Sequence, residues 1–273
     1  MSKLFSVPLA LGNRLKFRID IMKKLSATSI AKSLAAVALL TSAGASFAAS
    51  TWTFDNCTTC AGTNGASSVA VSAFGVDNSA GSNYAGATVG FNGASGLGVL
   101  SGGESGGPEH SVDNNTRTDA LLLNFGTQSV ELDAMQIGWK QGDADISLFR
   151  YTGVGAPTVV GLQITGLAGA GWSLVGNYAD LAVGVDKTVN TSNTASSWWL
   201  VSAYNSNFGT TTSDGGAVTG GGSIGTGAID YFKFLSVTGE VRTSKVPEPG
   251  SLALLGLGLV GLVASRRCKP AEV

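Results

Sequence analysis

Between residues 121 and 237 the chain repeats one pattern: short runs in which apolar and polar residues alternate, separated by Gly, Asn, Asp and Pro. A period of two sends successive side chains to opposite faces, which a strand with one buried face requires and a helix does not. Leu121-Leu122-Leu123-Asn124-Phe125 is a compact apolar run. Residues 130–138 (VELDAMQIG) alternate, with Val130, Leu132, Ala134 and Gln136 on one face. Residues 146–151, 172–175, 198–204 and 231–237 complete the set. Nothing in the chain alternates strand with helix, so a parallel sheet is excluded. The pattern predicts an all-β protein, an antiparallel β-sandwich of jelly-roll type, flanked by an N-terminal signal helix and a C-terminal hydrophobic helix. Abundant Gly, Ser, Thr, Asn and Val agree with short strands and tight turns. The glycines follow no Gly-X-Y period, which excludes collagen. Two Gly/Ser-rich stretches, 81–107 and 205–227, read as flexible or surface loops.

The two ends are of a different character. Residues 22–48 read as a signal peptide: Lys23, Lys24 and Lys32 supply the positive charge and residues 34–40 (LAAVALL) the apolar stretch. Ser46-Phe47-Ala48 puts small residues at −3 and −1, so cleavage is expected after Ala48. Residues 1–48 are therefore assigned to a leader, with Met22 the better translational start. At the other end, residues 251–265 (SLALLGLGLVGLVAS) are apolar. As a helix they would reach roughly 22 Å, short of a hydrocarbon core of about 30 Å. The basic residues Arg266, Arg267 and Lys269 that follow should stay cytoplasmic. The domain between, residues 49–245, is then left outside the cytoplasm, crossing the inner membrane with the tail (246–273) as a transient transmembrane anchor. A plain single-span membrane protein shares this layout.

The tail carries a resemblance. Val246-Pro247-Glu248-Pro249-Gly250, a short Gly/Leu-rich apolar stretch and Arg266-Arg267 follow one another in an order that resembles the PEP-CTERM sorting signal. That resemblance implies processing near Pro247, Glu248 and Pro249 by an exosortase, a membrane cysteine protease-transpeptidase. It also implies a Gram-negative bacterium that makes exopolysaccharide or biofilm matrix, and a product at the outer surface or released. Pro fixes φ and lacks a backbone donor, so Pro-Glu-Pro should be extended and accessible. Residues 137–153, 196–205 and 230–237 further resemble an exosortase-dependent surface protein family, a resemblance that brings no catalytic residues with it.

From Ala49 to Lys245 there are 7 Lys and Arg against 15 Asp and Glu, a net charge of −8. A domain so acidic repels phosphate backbones, and no basic stripe offsets it, so nucleic acid is excluded as a partner. Cys57 and Cys60, three residues apart outside any βαβ context, fit a local disulfide better than a reactive dithiol. His110 is the only histidine. Ser105, His110 and Asp113 could be assembled into a triad, but Ser and Asp are too common for that order to carry weight. Asp113, in the polar stretch 110–115, is the first place to look for a bound ion. Asp143 and Asp145, between two strands, supply hard oxygen ligands of the kind calcium takes, although Val154 stands where an EF-hand loop would end in Glu. A solvated turn is the plainer reading of that pair, and no other cofactor is expected. Trp198 and Trp199 must face opposite sides of their strand, so one can be core while the other stacks on a sugar ring. The expected function is a non-enzymatic surface or matrix protein associated with exopolysaccharide. A carbohydrate-binding module is the alternative, and a secreted hydrolase, which would need paired carboxylates, stands behind both.

Overall fold

The computed structural model describes residues 48–104, 106–108, 110–214, 216, 229–242, 256, 258 and 259. The chain divides into two units after Phe47, and every described residue belongs to the second. The signal peptide, Ser105, the sorting residues Pro247, Glu248 and Pro249, and the basic pair Arg266 and Arg267 lie outside the described residues. Of the apolar tail only Gly256, Gly258 and Leu259 are described, and they are helical. Among the described residues, no helix is long and apolar enough to cross a membrane.

Among the described residues fourteen strands follow one another: β1 (Ser50–Thr53), β2 (Thr59–Cys60), β3 (Val69–Asp77), β4 (Ala85–Phe91), β5 (Leu97–Leu100), β6 (Val112–Asp113), β7 (Arg117–Asn124), β8 (Ser129–Lys140), β9 (Ile146–Tyr151), β10 (Trp172–Tyr178), β11 (Lys187–Thr188), β12 (Ala195–Ser196), β13 (Trp198–Ala203) and β14 (Tyr231–Arg242). They pair in the order β10-β9-β13-β7-β3-β4-β5-β14-β8-β11, with β1 and β6 beside β14, β12 beside β8 and β2 beside β3. All these pairings are antiparallel.

The protein is thus β-rich and antiparallel as the alternation predicts, and the strands run as one curled sheet, a half-barrel. β4 makes the join. Its first residues, Ala85 to Ala87, pair with β3, and from Thr88 onward it pairs with β5. Gly86 and Gly90 let the strand bend through this change of partner. The stretch 81–107, expected to be a loop, therefore holds β4 and β5. Small residues pair here because neighbouring strands supply the apolar surface that they lack.

The concave side of the sheet closes on one main core. Val71, Ala73, Leu121, Leu123, Leu148, Trp199 and Val201 meet Val130, Leu132, Met135, Ile137, Phe232, Phe234 and Val237 there. A second cluster covers the outer face of β7, β9 and β13, where Ala120, Leu122, Phe149 and Leu200 pack under Val159, Ile164, Leu167 and Trp172. That explains the unbroken leucine run: Leu121 and Leu123 serve one core and Leu122 the other, as in a strand buried on both faces. On β8 the expected single face of Val130, Leu132, Ala134 and Gln136 holds only through Leu132. The register against β14 then slips: Ala134 faces Thr238 and Leu132 faces Gly239, leaving Asp133 as an extra residue. This bulge reverses the phase, so Met135 and Ile137 turn inward instead.

Candidate functional site

The acidic residues singled out from sequence do not form one group. Asp143 and Asp145 meet Asp230, which precedes β14, whereas Asp113 at the end of β6 meets Glu104 and Asp119. In each trio a carboxylate oxygen from every member lies within 4.8 Å of the others.

The Asp230 trio is knit together by hydrogen bonds. The Asp145 N–H donates to Asp230 Oδ1 at 2.7 Å, and the Asn114 amide donates to Asp230 Oδ2 at 2.5 Å. Asp230 returns its own N–H to Asn114 Oδ1 at 3.0 Å, and Asp145 Oδ1 accepts from the Asp180 N–H at 2.9 Å. The Asn114 amide also reaches the Tyr204 carbonyl at 2.9 Å. Asp230 thereby ties the turn after β6 to the turn before β9. Burial pushes its carboxyl up to about 9, and the charges of Asp145 and Asp143 push the same way. At neutral pH it is a protonated acid.

The Asp119 trio is different. Alternation along β7 places Asp119 on the same face as Leu121 and Leu123, so the strand carries an acid into the edge of the main core. Asp119 is fully buried, and among the described residues neither of its carboxylate oxygens has a hydrogen-bond partner. Directly across the ladder stands Gly75. A Cβ there would lie 2.9 Å from Asp119 Oδ1 and 2.4 Å from Ser101 Cβ, so only glycine lets the Ser101 side chain and Asp119 pack this closely over the strand. Glu104 is held by its own turn: its Oε2 accepts from the Ser101 N–H at 3.0 Å and the Ser101 hydroxyl at 3.2 Å. Asp113 Oδ1 accepts from the Asn115 N–H at 3.0 Å. Burial raises the Asp119 carboxyl well above the usual carboxylate range, and the Glu104 charge adds to it. Ser101, the Asp113 backbone and Arg117 act the other way without reversing it.

Two cations stand near but are engaged elsewhere. The Lys233 ammonium donates to the His110 carbonyl, and burial draws it down to about 8 against the pull of Asp113 and Asp119. Arg117 faces Asp77 at 4.0 Å. His110 Nδ1 pairs with the Gly106 carbonyl at 2.8 Å, so its ring is bonded within its own turn.

Cys57 and Cys60 are joined in a disulfide. The tryptophan pair separates as alternation requires. Trp199 is fully buried, its indole N–H shared between the carbonyls of Val130 and Ser196, each at 3.1 Å. Trp198 is half-buried and lines a hollow of about 420 Å³ with Arg150, Tyr151, Thr152 and Ser197. Of the two, Trp198 alone keeps some exposure to solvent.

Sequence reasoning missed Asp119, Glu104 and Asp230. Asp119 was within reach, because extending the alternation of Leu121 and Leu123 back two residues lands on it. Asp230 was within reach in the same way, two residues before Phe232 and Phe234 on the alternation of β14, whereas Glu104 lies in Gly-rich surroundings with no periodic pattern to place it.

Comparison with known proteins bears on the tail alone. Residues 245–267 match the PEP-CTERM protein-sorting motif. No curated protein and no solved structure matches the chain. The motif marks the chain as an exosortase-targeted protein exported across the membrane to the cell surface.

Proposed function

We propose that this is a non-enzymatic protein of the outer surface or extracellular matrix, associated with the exopolysaccharide of a biofilm. In this reading a signal peptide ending at Ala48 starts export, and a helix over residues 251–265 holds the chain transiently in the inner membrane. Arg266 and Arg267 remain on the cytoplasmic side while exosortase processes the chain near Pro247, Glu248 and Pro249. The observation that carries the reading is the sorting motif at 245–267, joined to a β-rich domain of net charge −8. The curl of the sheet around one core supports the sandwich, jelly-roll-like assignment of that domain. Replacing Pro247, Glu248 and Pro249 together by Ala tests the route. The altered chain should accumulate in the inner-membrane fraction and vanish from the cell surface and medium. An unchanged distribution would remove the basis of the proposal.

A second reading, a carbohydrate-binding module, draws on the hollow beside Trp198. An aromatic face flanked by Arg150, Tyr151 and Thr152 offers both stacking and hydrogen bonding to a sugar. Saturable binding to a matrix polysaccharide, lost in Trp198→Ala, would support it. A flat response across a glycan array would exclude it.

A further inference from the structure

A buried carboxylate without a hydrogen bond costs several kcal/mol unless a proton, a basic group or a metal ion compensates it. Asp119 is in that position, fully buried with both oxygens unpartnered. Among the described residues no salt bridge does this, since Lys233 bonds the His110 carbonyl and Arg117 faces Asp77. Nor is the neighbourhood arranged to relieve a lone acid. The turn after β5 folds back, its Glu104 N–H donating to the Ser101 carbonyl at 3.0 Å, and two further bonds from Ser101 fix the Glu104 carboxylate beside Asp119. β6 brings a third carboxylate, Asp113, which is itself fully buried. Gly75 lets the Ser101 side chain and Asp119 pack closely over the strand, where any Cβ would clash with both.

We propose that Glu104, Asp113 and Asp119 bind one hard divalent cation of the calcium class. Oxygens sharing one calcium ion, each roughly 2.4 Å from it, sit no more than about 5 Å apart. The three carboxylates meet that limit, with one oxygen of each within 4.8 Å of the others. The ion supplies the charge that Asp119 lacks, and backbone carbonyls or water complete its shell. Calcium fits better than magnesium, which sheds its water reluctantly and is poorly served by a dry, all-carboxylate site. The site links the turn after β5, the end of β6 and the middle of β7, so its occupancy should stiffen the edge of the core. It does not depend on how the chain is sorted.

Titration of the purified, chelator-stripped full chain with calcium chloride, read by calorimetry and by thermal melting, tests this. The expected result is a single saturable binding event and a higher melting temperature, both complete by about 10 mM, above the range of extracellular calcium modules. Asp119→Asn, which keeps the shape and removes the buried charge, should fold and lose calcium affinity by roughly tenfold or more. Glu104→Gln, on a turn, is the second variant should Asp119→Asn fail to fold, and it should weaken binding likewise. Asp230→Asn should bind as the unaltered chain does. No heat and no melting shift in the unaltered chain would overturn the proposal. Equal affinity in the unaltered chain and Asp119→Asn, or an equal response to magnesium chloride, would overturn it too.

Discussion

Two trios of carboxylates lie on neighbouring parts of one sheet, and the fold treats them in opposite ways. Around Asp230 the acids receive backbone N–H groups and the Asn114 amide, and a proton keeps Asp230 neutral. Around Asp119 the central acid receives no hydrogen bond from the described residues, while a glycine opposite lets it and Ser101 pack closely. Composition does not separate the two groups, since each has three acids with two fully buried. What separates them is the supply of donors. Satisfied acids form a latch between chain segments, and an unsatisfied one marks a place for a ligand.

The comparison is broken most easily at the latch. Asp230→Ala strands the buried Asp145 N–H and half of the Asn114 amide, at about 1–3 kcal/mol for each unpaired group. A loss of about 3 kcal/mol in denaturant unfolding is expected, and a loss under about 0.5 kcal/mol would deny the latch. Asp230→Asn, neutral but with one acceptor turned into a donor, loses one of the two bonds and should cost less, about 1–3 kcal/mol at pH 7. It should also change the pH profile. A carboxyl whose folded value is raised to about 9 contributes stability present below about pH 4, which fades as the pH rises through about 9. The unaltered chain should therefore lose stability across that window relative to Asp230→Asn. Parallel profiles would show that Asp230 is not held protonated.

Gly75→Ala probes the other trio. The new methyl would meet Ser101 Cβ at 2.4 Å and Asp119 Oδ1 at 2.9 Å, an overpacking worth about 1–3 kcal/mol. The calcium-induced melting shift should shrink with it, and a full shift would mean that the close packing of Ser101 and Asp119 plays no part in binding. The smallest effect is expected far from both trios. Reducing the Cys57–Cys60 disulfide opens a loop of only four residues, worth about 2 kcal/mol at most. It should leave the calcium response intact, and a lost response would mean that the trios do not act locally.

How much of this could be read beforehand follows from where the information lies. β7, β9, β13 and β14 announce themselves through bulky residues in alternation. β3 alternates too, with Val69, Val71 and Ala73 inward, but small residues weaken the contrast. β4 and β5 are strands only because their neighbours are, and no local pattern of Gly and Ala reveals that. The bulge at Asp133 appears only in the pairing with β14. The same holds for the trios: Asp143 and Asp145 are neighbours in sequence, but Asp230 joins them from 85 residues away through a hydrogen bond to Asp145. The tail is the opposite case. Its sorting information is the order of a few residues read along the chain, so Pro247, Glu248, Pro249 and the Arg pair were legible at once.

That tail carries the central functional claim, and one measurement addresses it directly: the intact mass of the protein recovered from surface and medium fractions, with and without the host exosortase. The expected result is a product lacking the leader through Ala48 and the segment after about Pro249, formed only when the enzyme is present. A full-length C-terminus retained in the inner membrane of exosortase-containing cells would contradict it.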